Sequence, residues 1–332
     1  MTPIGPAHAS PAAVSALQTV ALHPESHPEP HPWALESQIA RHLSVPESSV
    51  VVGSGFTQLI ELLLDELRTG NDAIVLSKPS FPIYRHIAAA RGYRIIDVPL
   101  RGYEHDLPAL RRAIDDSTRL VILDDPNSST GQALPQDTRI DALREIGSHT
   151  TVLYDNAYGD FGHHRVRPSE LLGTVPSAVY GATFSKGYFL LALRVGFVVA
   201  SEELAGRLRG RRSMFSVNYA GLAAASAALE DQETFRWNVW QSRLAKQAGE
   251  VAFGRHGLAC VPSEANFLLV DAGEWADELE DMLKERQIPH IGQRRIGLAG
   301  HIRVAFPDLP HADRLAEALD VLAKRRASAA AR

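Results

Sequence analysis

Short β-branched runs alternate with stretches of helical periodicity from about residue 50 to residue 212, and this alternation restricts the fold more than any other feature. Seven runs predict strands: SVVVG, DAIVLS, YRIIDVPL, RLVILDD, TTVLYD, SAVYGATF and GFVVAS. Five segments predict helices: FTQLIELLLDEL, IYRHIAAAR, DLPALRRAI, RIDALREIG and EELAGRLRGRR. Continuous apolar strands separated by helices are typical of a parallel sheet that is covered on both faces. The sequence therefore predicts an α/β fold with a mostly parallel central sheet and flanking helices.

The pattern changes after about residue 217, where the chain becomes mostly helical. A long helix is predicted around residues 233–254, followed by short strands at ANFLLVDA and HIRVAF and by two more helices. This part predicts a smaller α+β domain. We expect three units: an N-terminal segment at 1–45, a large domain at 46–232, and a long linking helix with a C-terminal small domain at 233–332.

The composition limits the partners and the compartment. A net charge of −5, with no basic run longer than RGRR, gives no reason to expect nucleic acid as a partner. No apolar run approaches the roughly 20 residues of a membrane span, and no signal peptide is evident. One cysteine, Cys260, excludes an intrachain disulfide and fits a reducing compartment. We expect a soluble cytoplasmic protein that does not bind membranes.

Histidines recur every four residues in the stretch HPESHPEPHPW, at His23, His27 and His31. On a helix this spacing would suggest metal ligands. The interleaved prolines prevent that helix, so the spacing does not favour a metal site.

A glycine turn joins the first predicted strand to its helix in VVVGSGFTQLIELL. Gly53 and Gly55 would let the backbone approach a ligand closely, and the free N–H groups near Phe56 and Thr57 would bind an anion. Glycine between a strand and a helix is also common in ordinary turns, so this motif alone does not establish an anion-binding site.

Conspicuous polar residues follow the other predicted strands. Asp155 ends an apolar strand, and a buried acid there needs a positive partner. In a parallel sheet, ligands bind at the carboxyl ends of the strands. Taken alone, VILDDPNSSTG is better interpreted as an ordinary polar turn. The residues at these ends are Asn127, Ser128, Tyr158, Thr183, Ser185, Lys186 and Arg194, and Arg303 lies on a strand of the second part.

These residues together match the needs of one cofactor, pyridoxal 5′-phosphate. Its phosphate requires hydrogen-bond donors and a positive charge, and its aldehyde forms a Schiff base with a lysine. Its pyridine nitrogen must stay protonated, which an ionised aspartate enforces. An additional arginine would hold an acidic substrate.

The chain resembles the fold type I pyridoxal-phosphate aminotransferases, most closely their histidinol-phosphate aminotransferase-like branch. The resemblance runs from TPIGP at residues 2–6 to about residue 320. The family's strand–S-K–(x)7–R–x–G segment is matched by Ser185, Lys186, Arg194 and Gly196, and its D-x-A-Y segment by Asp155, Ala157 and Tyr158. Each piece is weak, but their joint occurrence in order is highly specific.

The resemblance implies a role for each matching residue. Lys186 would be the Schiff-base lysine and proton shuttle, Asp155 would pair with the ring nitrogen, and Tyr158 would bond the ring hydroxyl. The phosphate would be surrounded by Phe56, Thr57, Thr183, Ser185 and Arg194. Phe81 falls where the family stacks an aromatic ring on the cofactor, although it also reads as a core aromatic. Arg303 would bind the substrate's carboxylate or phosphate, and Asn266 matches a position near the substrate or simply shapes a strand.

The chain departs from the family pattern at several positions. Ser128 replaces the asparagine that bonds the ring oxygen, so that a water or Asn127 would have to substitute. His27 aligns with the tyrosine that crosses between subunits to the cofactor phosphate, which implies a homodimer with shared sites. Ile291 occupies the place of a second arginine carried by members that use histidinol phosphate. These departures weaken an assignment to histidine biosynthesis.

The function expected from these residues is amino transfer between an amino acid or amino-phosphate and a 2-oxo acid through Lys186. Decarboxylase, lyase, cyclase or oxidase activity remains open, because the same cofactor serves all of these reactions. A non-enzymatic ligand-binding protein is the alternative of another class, and the intact Lys186 argues against it.

Overall fold

The computed structural model describes residues 7–163 and 165–330. The TPIGP motif at residues 2–6 lies outside the described residues. No helix in the described part of the chain is both long and apolar enough to cross a bilayer.

All seven predicted strands of the first part form one sheet. They are β1 Val50–Ser54, β2 Ala73–Lys78, β3 Arg94–Pro99, β4 Thr118–Asp124, β5 Thr151–Asp155, β6 Ala178–Thr183 and β7 Val195–Val199. Their order in the sheet is β1-β7-β6-β5-β4-β2-β3. Only β7 runs antiparallel to its two neighbours, β1 and β6; the other pairings are parallel. The predicted mostly parallel sheet is confirmed.

Both faces of this sheet are buried, which explains the continuous apolar strands. Successive side chains of a strand point to opposite faces. Accordingly Val50 and Val52 belong to one apolar cluster, whereas Val51 belongs to another on the opposite face. A strand buried on both faces cannot show the alternation of apolar and polar residues of a half-exposed strand.

Helices cover the two faces and begin at recognisable signals. Asp106 caps one helix by accepting the N–H of Ala109, and Ser201 caps another by accepting the N–H of Leu204. As expected, residues 23–32 form no helix. The helices of this part are α1 Pro11–Leu22, α2 Trp33–Leu43, α3 Gly55–Leu67, α4 Pro82–Ala90, α5 Leu107–Arg112, α6 Gln136–Gly147, α7 Pro168–Thr174, α8 Glu202–Arg211 and α9 Tyr219–Glu230.

The second part builds a separate antiparallel sheet with its own apolar cluster. The long helix predicted around residues 233–254 is α10 Gln232–Arg255. The strands β8 Ala259–Val261 and β10 His290–Ile291 are too short to have been predicted. The remaining elements are β9 Phe267–Asp271, α11 Ala276–Glu285, α12 Gln293–Ile296, β11 His301–Ala305 and α13 Leu309–Ala330.

A buried ion pair ties the N-terminal segment to the large sheet. Glu36 on α2 accepts from Arg212 and from the N–H of Val52 at 2.9 Å, and Arg212 also donates to the Val52 carbonyl. Both charged side chains are almost completely buried. The division into units at 1–45, 46–232 and 233–332 stays a proposal, and the two separate sheets support it.

Candidate active site

One cavity collects most of the predicted functional residues at the carboxyl ends of β5 and β6 and at the start of α3. Its wall holds ten of them, together with Ala157 and Leu191. The ten are Phe56, Thr57, Phe81, Ser128, Asp155, Tyr158, Thr183, Ser185, Lys186 and Arg194.

The amino end of α3 forms one end of this cavity. Gly55, with φ +72°, turns the chain from β1 into the helix, and no side chain caps the first turn. Gly196 on β7 lets the backbone of Phe56 come close, since a Cβ at Gly196 would lie 2.6 Å from the Phe56 nitrogen. The free N–H groups of the first turn make this end suited to an anion.

Arg194 adds a full positive charge to the same end. Its guanidinium donates to Ser185 Oγ at 3.4 Å and to the Leu191 carbonyl at 3.1 Å. The hydroxyls of Thr183 and Ser185 lie 2.9 Å apart beside it. Within the described residues, no carboxylate forms an ion pair with Arg194. Arg194, the two hydroxyls and the start of α3 therefore form a site for an anion, and no carboxylate of the described residues occupies it.

Asp155 lies deep in the cavity and is buried. Its Oδ1 accepts the N–H of Ala157 at 2.8 Å, and its Oδ2 accepts the hydroxyl of Tyr84. Burial raises the pKa of Asp155 to about 7, against the two hydrogen bonds and the nearby Lys186, which favour the charged form. A cationic group bound at this carboxylate would restore its charge.

Lys186 and Arg303 both lie close to the ring of Tyr158. The Lys186 amine lies 5.1 Å from the centre of the Tyr158 ring. Arg303 donates to the Tyr158 hydroxyl at 3.0 Å and lies 3.9 Å above the Phe267 ring. Burial alone would raise the pKa of Tyr158, but the charges of Arg303 and Lys186 outweigh it and lower that pKa.

The turn after β4 presents Ser128 to the cavity and keeps Asn127 away from it. The Asn127 side chain accepts the N–H groups of Ser129 and Thr130 at 3.0 and 2.9 Å, and so closes its own turn. Arg303 donates to the Ser128 carbonyl. The Ser128 hydroxyl is buried and has no hydrogen-bond partner among the residues that the structure describes. Of the two residues, only Ser128 has a donor available for a ligand.

A series of hydrogen bonds between buried polar side chains holds this turn in place. Asp124 accepts the N–H of Ser128 at 2.8 Å, and His105 donates from Nε2 to the Asp124 carbonyl at 2.9 Å. The Nδ1 of His105 then accepts the hydroxyl of Ser77 at 2.6 Å. Asp124 also lies directly opposite Asp155 in the register of β4 and β5. The Asp124 charge consequently disfavours ionisation of Asp155.

Four predicted residues are not in the wall of the cavity: Asn127, His27, Asn266 and Arg303, of which Arg303 contacts Ser128 and Tyr158 of that wall. His27 is exposed, and its Nδ1 contacts the carbonyl of Pro28. Asn266 accepts the N–H of Phe306 through its backbone carbonyl, beside the strand of Arg303. Sequence reasoning missed Tyr84, because a tyrosine on an apolar helix face reads as a core residue.

Comparison with known proteins agrees with this geometry. A profile of the family described as aminotransferase class I and II matches residues 6–322. Histidinol-phosphate aminotransferase from Symbiobacterium thermophilum is 33% identical over 317 residues, covering 96% of this chain and 87% of that relative. The enzyme of the same name from Bacillus subtilis is 33% identical over 293 residues, covering 87% of this chain and 80% of its own.

Solved structures share the fold at lower identity. Histidinol-phosphate aminotransferase from Sinorhizobium meliloti, in complex with pyridoxal 5′-phosphate, has a TM-score of 0.86 at 23% identity, covering 98% of this chain and 90% of its own. L-Threonine-O-3-phosphate decarboxylase from Porphyromonas gingivalis has a TM-score of 0.81 at 21% identity, covering 94% of this chain and 95% of its own.

The chain therefore belongs to the class I and II aminotransferases, a family of pyridoxal-phosphate-dependent enzymes. It is accordingly a transferase that moves an amino group between small amino and oxo compounds. The expectation of fold type I, with pyridoxal 5′-phosphate as the cofactor, is confirmed.

The cavity fits that cofactor on its own chemistry. The unpaired Arg194 and the start of α3 match a phosphate, and the buried Asp155 matches a cationic ring nitrogen. The unpartnered hydroxyl of Ser128 matches an acceptor on the ring. The amine of Lys186 is the nucleophile that an aldehyde needs.

The raised pKa of Asp155 predicts a pH-dependent stability of the apoprotein. The folded pKa of about 7 lies above the unfolded value of 3.8, so the stabilising effect is complete below pH 3.8 and is lost as pH rises through 7. Between pH 5 and pH 8 the Asp155 contribution should fall by about 3 kcal/mol. Urea unfolding of the apoprotein at both pH values measures it.

Asp155→Asn is the matched variant, since asparagine does not titrate. The difference in unfolding free energy between the two proteins should change with pH in the stated direction. An unchanged difference between pH 5 and pH 8 would contradict the assignment of the raised pKa to Asp155.

Proposed function

We propose that this cavity performs amino transfer between an amino acid or amino-phosphate and a 2-oxo acid, with Lys186 as the catalytic amine. The observation that supports the proposal most is the meeting of three features in one cavity: the Lys186 amine, the buried Asp155 and the unpaired Arg194. A ligand that combines an aldehyde, a cationic nitrogen and an anion satisfies all three.

We propose that the anion end holds the cofactor phosphate. Arg194 and the N–H groups of Phe56 and Thr57 would neutralise its charge, and Thr183 and Ser185 would donate hydroxyl hydrogen bonds. The αL backbone of Arg194, with φ +53°, supports this role because it directs the side chain back over Gly55. The guanidinium carbon would lie 3.2 Å from a Cβ at that glycine.

The ring end of the cavity would control the charge of the cofactor. When bound, the cofactor supplies a conjugated ring that withdraws electrons from the substrate Cα. Asp155 would hold a proton on the ring nitrogen, and Tyr158 and Ser128 would hydrogen-bond the ring oxygen. Phe81, exposed at the start of α4, would cover the ring face and exclude water.

Lys186 and Arg303 would act on the substrate. Arg303 would bind the carboxylate or phosphate of the substrate, because it uses only two of its five N–H donors on Ser128 and Tyr158. Lys186 would attach the cofactor aldehyde and, once released, remove the proton from the substrate Cα. Asn266, on the loop before β9, would lie near the substrate.

The choice of substrate depends on the surroundings of Arg303. Ile291 on β10 lies directly opposite Arg303 in the antiparallel register, so an uncharged side chain stands beside the arginine. Relatives named histidinol-phosphate aminotransferase are about one-third identical to this chain. We therefore propose histidinol phosphate as one donor to be tested among amino acids that carry a carboxylate.

A second candidate function keeps the cofactor and changes the bond that breaks. Ser128 takes the place of the family's asparagine, and a decarboxylase shares the fold with a TM-score of 0.81. Decarboxylase, lyase, cyclase or oxidase chemistry would place a different substituent of the substrate Cα perpendicular to the ring.

Half-reaction spectra separate these candidates. For an aminotransferase, we expect the yellow holoprotein to lose its absorbance with an amino donor and to recover it with a 2-oxo acid. Lys186→Ala should abolish turnover, because it removes both the attachment point and the base. A panel of donors that includes histidinol phosphate identifies the substrate class.

Carbon dioxide release or oxygen consumption without recovery by any 2-oxo acid would contradict amino transfer and favour the second candidate. A Lys186→Ala protein with unchanged biological effect and ligand affinity would favour a non-enzymatic binding protein.

We also propose that the enzyme is a homodimer with shared active sites. Two apolar side chains are exposed on connected loops: Leu191, which lines the cavity, is 58% exposed, and Met214 is 63% exposed. Asn218 connects the loop of Met214 to that of Leu191 by donating to the Leu193 carbonyl at 2.7 Å. An exposed apolar surface of this kind is typical of an interface.

His27 lies next to this surface. Its ring contacts Phe215 edge to face at 5.1 Å, and the N–H of Phe215 donates to the Pro30 carbonyl at 2.9 Å. In the proposed dimer, His27 would extend to the cofactor phosphate of the neighbouring copy.

Sedimentation equilibrium tests the dimer. The protein should have twice the 36.2 kDa mass of the chain, and Met214→Glu should weaken the association by burying a charge in the interface. Val251→Glu is the matched control, because Val251 is 55% exposed on α10 and lies outside the proposed interface. A fully active monomer would contradict the shared site.

A cytoplasmic location is proposed as well. The single cysteine, Cys260, supports a reducing compartment. Cell fractionation would test this location, and recovery of the protein outside the cytoplasm would contradict it.

A further inference from the structure

One buried tyrosine touches the site without lining the cavity. Tyr84 lies on α4, three residues after Phe81, and the two rings meet edge to face at 5.4 Å. The Tyr84 hydroxyl donates to Asp155 Oδ2, while the N–H of Ala157 donates to Oδ1 at 2.8 Å. Each carboxylate oxygen keeps room for one more donor, such as a ring nitrogen.

We propose that Tyr84 is a positioning residue that keeps Asp155 ionised and holds its carboxylate toward the ring nitrogen of the cofactor. This inference rests on the proposed role of Asp155. Tyr84 is completely buried in the apolar cluster that includes Phe56 and Leu59. The packed ring therefore fixes the direction of its hydroxyl.

The surroundings of Asp155 explain why a neutral donor is needed there. Burial and the carboxylate of Asp124 both oppose its charge, whereas Lys186 favours it. When the Lys186 amine is attached to the cofactor, it no longer serves as a free ammonium that balances the charge of Asp155. The titratable groups that face Asp155 are Tyr84 on α4, Asp124 on β4, Tyr158 after β5, Tyr180 on β6 and Lys186 after β6.

A tyrosine serves this purpose better than a lysine or arginine would. Burial and the two carboxylates raise the pKa of Tyr84 well above its usual value, so it stays protonated and remains a donor. A cation at that place would pair permanently with Asp155 and weaken its interaction with the ring nitrogen. The tyrosine supports the charge of Asp155 without neutralising it.

Tyr84→Phe tests the proposal because it removes the donor and keeps the ring. Binding of pyridoxal 5′-phosphate to the apoprotein, measured by absorbance or fluorescence titration, should weaken by about tenfold to hundredfold at pH 7. The pH midpoint of binding should rise by about one unit, so the difference should shrink at higher pH. A purely structural role would give a loss that does not depend on pH.

The carbocyclic cofactor analogue, with carbon in place of the ring nitrogen, provides a second measurement. Wild type and Tyr84→Phe should bind the analogue almost equally, since the interaction that Tyr84 supports is then missing from both. Tyr93→Phe is the matched control: Tyr93 is buried in the same cluster and donates to the Leu64 carbonyl at 2.6 Å. It should leave the pH midpoint unchanged.

If Tyr84→Phe does not fold, 3-fluorotyrosine at position 84 replaces it. This more acidic donor should move the pH midpoint down. A midpoint that equals that of the wild type in the folded variant overturns the role of Tyr84 alone. If Asp155→Asn leaves the preference for the natural cofactor over the analogue unchanged, the proposed role of Asp155 fails, and the inference falls with it.

Discussion

The site depends on keeping one carboxylate ionised where water is excluded. Asp155 is placed at the end of β5 by a strand that is buried on both faces, so its carboxyl group reaches the cavity from the interior of the sheet. The hydrogen bonds from Tyr84 and Ala157 favour its charged form, but burial opposes that form more strongly and raises the pKa to about 7. The cationic ring of a bound cofactor would supply the further stabilisation that keeps the carboxylate ionised at physiological pH.

The part of the cavity around Arg194 has the opposite requirement, because its positive charge needs an anion. Arg194 and the start of α3 present positive charge, and no carboxylate in the described part of the chain pairs with it. This arrangement depends on backbone contact, since Gly196 must lack a side chain for β7 to approach Phe56. One cavity therefore holds a buried carboxylate and a cation, which suits a ligand that carries both charges, and Lys186 lines the same cavity.

Much of this organisation was predictable from the sequence. The strands of the large sheet were clear because each is a continuous apolar run, and the order of the short motifs placed Lys186, Asp155 and Arg194 at strand ends. The strands β8 and β10, with three and two residues, carry too little pattern to be recognised. They exist because β9 and β11 offer edges to pair with.

The differences between the expected and the observed surroundings of Asn127 and Tyr84 have physical causes too. Asn127 looked available for the cofactor, but its amide satisfies the N–H groups of its own turn, a local contact that only coordinates reveal. Tyr84 looked like a core residue, and in packing it is one. Its importance rests on a single hydroxyl that meets a carboxylate from a strand distant in sequence. Contacts of this kind are not encoded in a periodic pattern.

Borohydride reduction of the holoprotein, followed by proteolysis and mass spectrometry, tests the central claim most directly. Lys246 serves as the internal comparison, because burial lowers the pKa of its amine to about 8. That amine donates to the carbonyls of Ser263 and Ala265, outside the cavity. The account predicts a pyridoxyl group on the peptide that contains Lys186. A label on Lys246 instead, or no labelled peptide at all, would contradict it.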